Sequence, residues 1–403
     1  MNVPKIRFET FTEEWRETSI GQVAHIIGGG TPSTSNIHYW GRDIQWFTPS
    51  EVGHCKYVNK SERTISELGL NESSAKLLPA NSILLSSRAT IGEMSINTCE
   101  CATNQGFQSL VPYNADLEFL FYIMHTKKND LIRESNGSTF LEISANKVRS
   151  LGLVVPKINE QKKIGLFLKN LDSSIETLSK KITSFKQTKQ ACLQQMFPAD
   201  GETTPRIRFK GFEGEWEKKQ IGDISTSTKG KGYSKADLRE FGTPIILYGR
   251  LYTKYSFEMD DIDTYAIPVE GTIYSAGNEV VIPASGETAE DIAIAAAIKQ
   301  KGVILGGDLN ILTFTEEYDP AFMALCITNS YTHYELSRFA QGKSVVHLRN
   351  NDIANGHVVC PTLAEQQQIA AFFSNMDKQI RIQEQRLEKL KQIKAACLEN
   401  MFV

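Results

Sequence analysis

The sequence predicts an α+β protein made by tandem duplication, in which two globular modules are separated by two long helices packed antiparallel. Three observations lead there. Identities recur along the 403 residues at a nearly constant offset. Two stretches carry an apolar seam with heptad spacing. The stretches between them differ in kind: short runs rich in Ile, Val, Leu and Thr, broken by Gly, Ser, Asn and Pro.

The repeat sets the organisation. Residues 4–8 read PKIRF and residues 205–209 read PRIRF, and Phe11, Trp15, Ile20 and Gly21 return 201 positions on as Phe212, Trp216, Ile221 and Gly222. A second series is offset by 205. Val154, Pro156, Glu160, Gln161, Ile164, Phe167, Asp172 and Ile175 match Val359, Pro361, Glu365, Gln366, Ile369, Phe372, Asp377 and Ile380. It closes with Ala191-Cys192-Leu193 and Met196-Phe197 against Ala396-Cys397-Leu398 and Met401-Phe402. The change of offset places insertions in the segments between. Each half is thus a Trp-containing opening segment, a long middle and a helical close. The middles, roughly 27–150 and 228–354, share little beyond Gly137-Ser138-Thr139 against Gly342-Lys343-Ser344. The expected domains are a first module with its opening segment over 1–153, a central helix over 154–198, a linker, opening segment and second module over 199–354, and a closing helix over 355–403.

In the first helical segment the seam is Ile164, Leu168, Leu171, Ile175, Leu178, Ile182, Phe185, Cys192 and Met196, with Lys189 in the one gap. In the second it is Ile369, Phe373, Met376, Ile380, Leu387, Leu390, Cys397 and Met401, with Gln383 and Lys394 in the vacant places. Alternating steps of four and three over more than four heptads argue coiled coil. Each segment follows a proline, and only Gly165 interrupts the interiors. At ~1.5 Å per residue such a helix is a rod of roughly 50 Å. The helices could pack each on its own module; seams of equal length and register favour packing on each other. Two copies about a twofold axis would pair them antiparallel. That brings residues 4–21 beside the end of the second helix and makes the chain nearly circular.

Residues 198–205, PADGETTP, form the one clear linker. No apolar run reaches ~18 residues, so no transmembrane helix is expected, and the N-terminus has no apolar core of a secretory signal. Lys plus Arg is 44 and Asp plus Glu is 47, a net charge of −3. That excludes a coating nucleic-acid binder, whose affinity comes from excess positive charge. Charge is nonetheless uneven. Residues 157–197 hold eight Lys against three acids, and residues 228–354 hold eleven basic against seventeen acidic residues. The Lys-rich face could meet phosphate, though a solvated coiled-coil face is the commoner cause. Seven cysteines with only Cys99 and Cys101 close together suit reduced thiols in a cytosol better than a disulfide framework or a zinc site.

The middles read as α+β modules, with Ile83-Leu84-Leu85 and Val280-Val281-Ile282-Pro283 as short strands ending in polar loops. Catalytic patterns are missing: no N-P-P-[YF] or D-P-P-[YF] loop and no H-E-x-x-H helix. Gly342-Lys343-Ser344 looks like the end of a P-loop, but Ser337 stands where its first Gly belongs. Gly28-Gly29-Gly30 lacks dinucleotide-binding spacing, and the seven histidines gather with neither carboxylates nor cysteines. A binding protein is favoured over an enzyme.

Taken in order, these motifs resemble the specificity (S) subunit of type I restriction–modification systems, over essentially the whole chain. The resemblance rests on the duplicated P-x-I-R-F…W…I-G openings and on the Pro-x-x-x-Glu-Gln helix starts at 156–161 and 361–366. Within the first middle it rests on residues 46–50 (WFTPS), 86–92 (SSRATIG) and 103–107 (TNQGF), and in the second on residues 283–288 (PASGET). It implies two target-recognition domains, each reading half of a split, asymmetric site in double-stranded DNA. It also implies docking of two modification subunits, which bind S-adenosylmethionine, and of two restriction subunits, which use ATP and Mg2+. The subunit itself would be non-catalytic, without a cofactor or metal of its own, and cytoplasmic. The rival readings are a standalone DNA methyltransferase or nuclease and a coiled-coil scaffold with no DNA role.

Base edges in the major groove are read by short polar side chains and Arg carried on loops. Two such modules on a rod would fix the spacing of half-sites, and partner subunits could supply the phosphate contacts that a net charge of −3 cannot. The candidate readers are Ser33, Thr34, Thr48, Ser50, Arg88, Thr90, Asn104 and Gln105 in the first module, and Tyr233, Arg250, Ser285, Glu287, Thr288, Lys343 and His347 in the second. A structural role inside the domain competes for Arg88 and Asn104, and a plain surface loop for the others. Trp15, Trp216 and the Phe8/Phe209 pair are expected to pack against helix ends.

Overall fold

The computed structural model describes residues 2–137, 141–342 and 345–403, with 42 and 43 as backbone alone. The chain forms two compact units, Met1–Ser179 with Gln385–Val403 and Lys180–Glu384. Both are built from a sheet-based module, an opening segment and parts of two helices, Ile158–Gln195 and Leu363–Asn400, each 38 residues long.

In the first unit the opening segment is stitched to the start of the first long helix. Strand Arg16–Ser19 pairs antiparallel with Gly152–Val155, which leads into Pro156. Arg7 grips Glu160 with two nitrogens, Nε to Oε1 at 2.7 Å and Nη2 to Oε2 at 2.8 Å, and the Trp15 indole donates to the same carboxylate at 3.3 Å. Gln161 donates to the Pro156 carbonyl at 2.9 Å and accepts from the Asp116 amide at 3.0 Å. The Ile6 amide donates to the Asn400 carbonyl at 2.9 Å, so both chain ends lie together in this unit.

The module carries a five-stranded sheet in the order Ala24–Gly28, Gln108–Pro112, Ile83–Leu85, Met94–Asn97, Tyr57–Val58, and a three-stranded sheet in the order Arg63–Ile65, Trp40–Phe47, Cys101–Thr103. Side chains alternate across the larger sheet. Ile83 and Leu85 face the apolar helix Leu117–Thr126, while Leu84 packs with Phe47, Cys101 and Phe107. That helix buries Phe119 to Met124 without a break, because the sheet and the long helix cover it together. Gly165 permits the close approach: a Cβ there would stand 2.7 Å from the Asp116 carboxylate and 2.8 Å from the Phe119 amide.

The second unit repeats this architecture on a different sequence. Its five strands run Ser225–Lys229, Leu309–Phe314, Glu279–Pro283, Ala296–Ile298, Glu258–Met259, and its three run Tyr265–Ala266, Thr243–Ile246, Ile304–Leu305. In both units the last strand of the larger sheet is parallel to its neighbour. Helix Pro320–Asn329 takes the covered position, with Ala321 to Ile327 buried. Arg208 grips Glu365 at 2.7 Å through two nitrogens, and Gln366 donates to Pro361 and accepts from Asp319, both at 2.9 Å. The Ile207 amide donates to the Gln195 carbonyl at 2.9 Å. Trp15 and Trp216 sit in the cores, and Phe8 and Phe209 meet Phe167 and Phe372 edge-on.

The helices run antiparallel within each unit. In the second, Lys189 meets Asp377 at 2.5 Å and Lys186 meets Glu384 at 2.7 Å, while Leu193 and Met196 share a core with Ile369 and Phe373. In the first, Lys394 meets Asp172 at 2.6 Å, and Cys397 and Met401 share a core with Ile164 and Leu168. The two lysines that interrupt the seams therefore each face an aspartate from the other helix. Asp172 also accepts from Tyr122 at 2.5 Å, and Tyr122 accepts from Lys56 at 2.6 Å, which fastens the first module to its helix. Burial alone would raise the Glu118 carboxyl beside them; hydrogen bonds from Lys56, Tyr57 and Lys169 outweigh it and hold the group below its ordinary value. Much of the lysine excess is spent in this way. Lys157 pairs with Glu13, Lys169 with Glu118, Lys186 with Glu384 and Lys189 with Asp377, and Lys163 lies over the Phe8 and Phe11 rings.

Two mutational outcomes follow. Glu160→Ala should cost about 3 kcal/mol in urea unfolding of the full chain, because it leaves the part-buried Arg7 guanidinium and the Trp15 indole without their shared acceptor, while Arg7→Met with Glu160→Leu should cost much less. Lys189→Asp should lose about 2 kcal/mol by setting two carboxylates together across the helices, and adding Asp377→Lys should restore most of it.

Candidate nucleic-acid interface

The polar turns of the first module meet at one edge of its sheets. Segment 86–88 lies between two others: the Ser87 amide donates to Gly106 at 2.8 Å, and Ile143 donates back to Ser87 at 3.1 Å. The turn beyond it is preformed. Ala89 has φ +57°, Ser86 Oγ donates to the Arg88 carbonyl at 2.9 Å, and the Thr90 amide donates to the same carbonyl at 2.6 Å. A Cβ on Gly106 would stand 2.8 Å from Pro49 Cγ and 3.0 Å from Asn104 Oδ1, so the 48–50 and 104–106 turns are in contact. Gln105 bonds Thr31, which brings in the loop that carries Ser33 and Thr34.

The candidate residues take different parts here. Thr48 is bound to Glu51 at 2.7 Å through both its amide and its hydroxyl, and Ser50 reaches the Thr48 hydroxyl at 3.0 Å. Asn104 accepts from the Gly106 amide at 2.8 Å and so shapes its own turn. Arg88 pairs with Glu142 at 2.7 Å. Ser33 bonds Ser35 at 2.8 Å, and its carbonyl accepts from the Trp40 indole at 3.0 Å. Arg63 lies 3.6 Å above that Trp40 ring.

The second module builds an equivalent edge. Segment 284–286 again lies between two others, with Ala284 donating to Asp308 at 2.7 Å and Leu348 donating to Ala284 at 3.1 Å. Ser285–Gly286 pairs with Val346–His347. Glu287 is exposed, and Thr288 caps the next turn by accepting from the Asp291 amide at 3.0 Å. The Tyr252 hydroxyl donates to the Ser285 carbonyl at 2.9 Å. Burial is the main cause of that phenol's raised pKa.

Ser285, Glu287, Thr288 and His347 thus assemble on neighbouring segments. Tyr233 lies beside the equivalent of the 104–106 turn, since Gly232 accepts from the Gly307 amide at 2.6 Å, but its hydroxyl is committed to Thr272 at 2.5 Å and the Val269 amide at 3.0 Å. Arg250 is engaged with the Asp263 carboxylate and the Asp261 carbonyl and is only 11% exposed. Lys343, Ser138, Thr139 and Ser344 lie outside the described residues. Sequence reasoning passed over Glu142, Trp40, Arg63 and Tyr252. The offset of 205 held a signal for Glu142, because it pairs Asn136 with Gln341 and Glu142 with His347, and both pairs form the same kind of bridge.

Residues 12–187 and 213–392 each match the type I restriction modification DNA specificity domain, and the chain belongs to that family. Its duplicated α+β architecture agrees with that assignment. The MjaIX specificity subunit of Methanocaldococcus jannaschii is 25% identical across 98% of this chain and 96% of its own. The EcoR124I/EcoR124II specificity subunit of Escherichia coli is 30% identical over 186 residues, 44% of each chain. The solved type I restriction-modification S subunit of M. genitalium matches with a TM-score of 0.62 at 15% identity, over 100% of this chain and 99% of that one, a likeness of fold.

The bonding separates turn-shaping residues from exposed ones. Asn104→Ala and Thr288→Ala should each lose about 1 kcal/mol, as expected for a turn or cap side chain. Thr34→Ala, Ser50→Ala and Glu287→Gln should stay within about 0.5 kcal/mol. Thermal unfolding of the five purified variants checks both.

Proposed function

We propose that this chain is the DNA-specificity subunit of a type I restriction–modification complex and that each module reads one half of a split, asymmetric site. The observation that carries the reading is the contrast between frame and turns. The Arg–Glu grip, the Gln clasp and the seam Lys–Asp pair occur in both units. The turns held at the module edges carry different chemistry, Arg88 with Glu142 in one and Ser285 with His347 in the other. A common frame with dissimilar turns suits two different half-sites.

In this reading the exposed candidate side chains of both edges contact bases while the turn-shaping ones hold them in place, and the chain performs no chemistry itself. Two modification subunits bring S-adenosylmethionine, two restriction subunits bring ATP and Mg2+, and the assembly works in the cytoplasm. The lysines already spent on internal pairs leave phosphate neutralisation largely to those partners. Among the described residues no helix is long and apolar enough to cross a membrane.

Replacing residues 228–354 by a copy of 27–150, with modification subunits present, should convert the methylated site into an inverted repeat of the first half-site. Sequencing of methylated genomic DNA reads this directly. A site that stays asymmetric would show that the modules are not independent readers.

A further inference from the structure

The two modules bring the same pair of segments face to face and differ in what the facing residues are. In the first, Arg88 bridges Glu142, and Glu142 bridges Asn136. In the second, Ser285 pairs with His347, and His347 bridges Gln341. The next residues, Ile143 and Leu348, both donate to the facing segment, at Ser87 and Ala284. One structural position therefore holds a cation with an anion in one module and a buried serine with an exposed histidine in the other. We propose that this facing pair sets base selectivity in each module, and that Glu142 is a positioning residue which holds the Arg88 guanidinium for bidentate contact with a guanine. This rests on the DNA-specificity reading above.

Three observations carry it. The Arg88 backbone needs no help from Glu142, because the Ala89 turn, the Ser86 and Thr90 bonds and the flanking segments already fix it. What the carboxylate adds is a direction for the long side chain, through Nη2 to Oε1 at 2.7 Å. The pair is 43% and 41% exposed, so it contributes little to folding and stands open to a macromolecule. A guanidinium has five donors in a rigid fork, and one carboxylate contact leaves others for a base. Holding it in place before binding removes the rotamer entropy that a free arginine loses on contact. In the second module the Tyr252 hydroxyl holds the Ser285 carbonyl instead, and with Ser285 buried it is the exposed His347 imidazole that stands at this position.

The test is methylation mapping with the full chain and its modification subunits, for the native protein, Glu142→Gln, Arg88→Ala and Glu134→Gln. Glu134 pairs with Lys147 at 2.8 Å in the same module and serves as the control carboxylate. Glu142→Gln should lower discrimination at a single base pair of the first half-site by roughly tenfold to a hundredfold. The second half-site and the unfolding midpoint should not move. Arg88→Ala should abolish preference at the same base pair, and Glu134→Gln should change nothing. Unchanged discrimination in Glu142→Gln, or a uniform loss of methylation at every site, would overturn the proposal. If the native complex methylates no split site, the specificity reading itself falls, and this assignment with it.

Discussion

The frame depends on a buried arginine–glutamate grip made twice. Arg7 with Glu160 and Arg208 with Glu365 each join an opening segment to the first turn of a long helix, and both glutamates are almost fully enclosed. An enclosed carboxylate is tolerated only with its partner in place, since either charge left alone costs more than the pair contributes. That is why the PxIRF opening and the Glu-Gln helix start, far apart in sequence, recur together in each half. The neighbouring glutamine extends the lock. By donating to the proline carbonyl and accepting from the cap residue of the apolar helix, Gln161 and Gln366 set where the module leaves its helix.

The seam applies the same logic along the helices. A lysine in an apolar seam costs stability unless it finds an anion, and a polar pair at one place specifies partner and register. Lys189 and Lys394 find Asp377 and Asp172. Asp172 reaches further, through Tyr122 and Lys56, into the first module, while in the second Lys189 lies 5.7 Å from the Phe257 ring centre. Helix register and module placement are thus coupled through the Asp172 carboxylate in the first unit and through the Lys189 ammonium in the second. That coupling fixes where each module's polar turns stand on its own helices, and a loosely held module would lose binding energy to its own disorder.

The frame was legible in the sequence because identities at constant offset and a heptad seam survive without knowledge of contacts. The helices Leu117–Thr126 and Pro320–Asn329 were not, because an element covered on all sides is apolar all round and loses its periodicity. The candidate edge was legible in part. Arg88, Asn104 and Ser285 sit in runs whose polar residues and glycines mark turns, and they do meet other candidates. Arg250 carried the same cue, but its carboxylate partner Asp263 lies across a strand pairing that no local pattern announces. Glu142 was missed for the converse reason, since its importance comes from a partner on a distant turn.

If the duplicated contacts make the frame and the middles alone read DNA, half of the chain contains everything required. Residues 1–200 hold Arg7 with Glu160, Asp172 and Lys189, so two copies pairing their helices antiparallel would set each Asp172 against the other copy's Lys189, as the intact chain sets it against Lys394. The decisive measurement is the mass of this fragment in solution, together with the site it directs when modification subunits are supplied. The account predicts a dimer that methylates an inverted repeat of the first half-site. A fragment that stays monomeric and directs no methylation would contradict it.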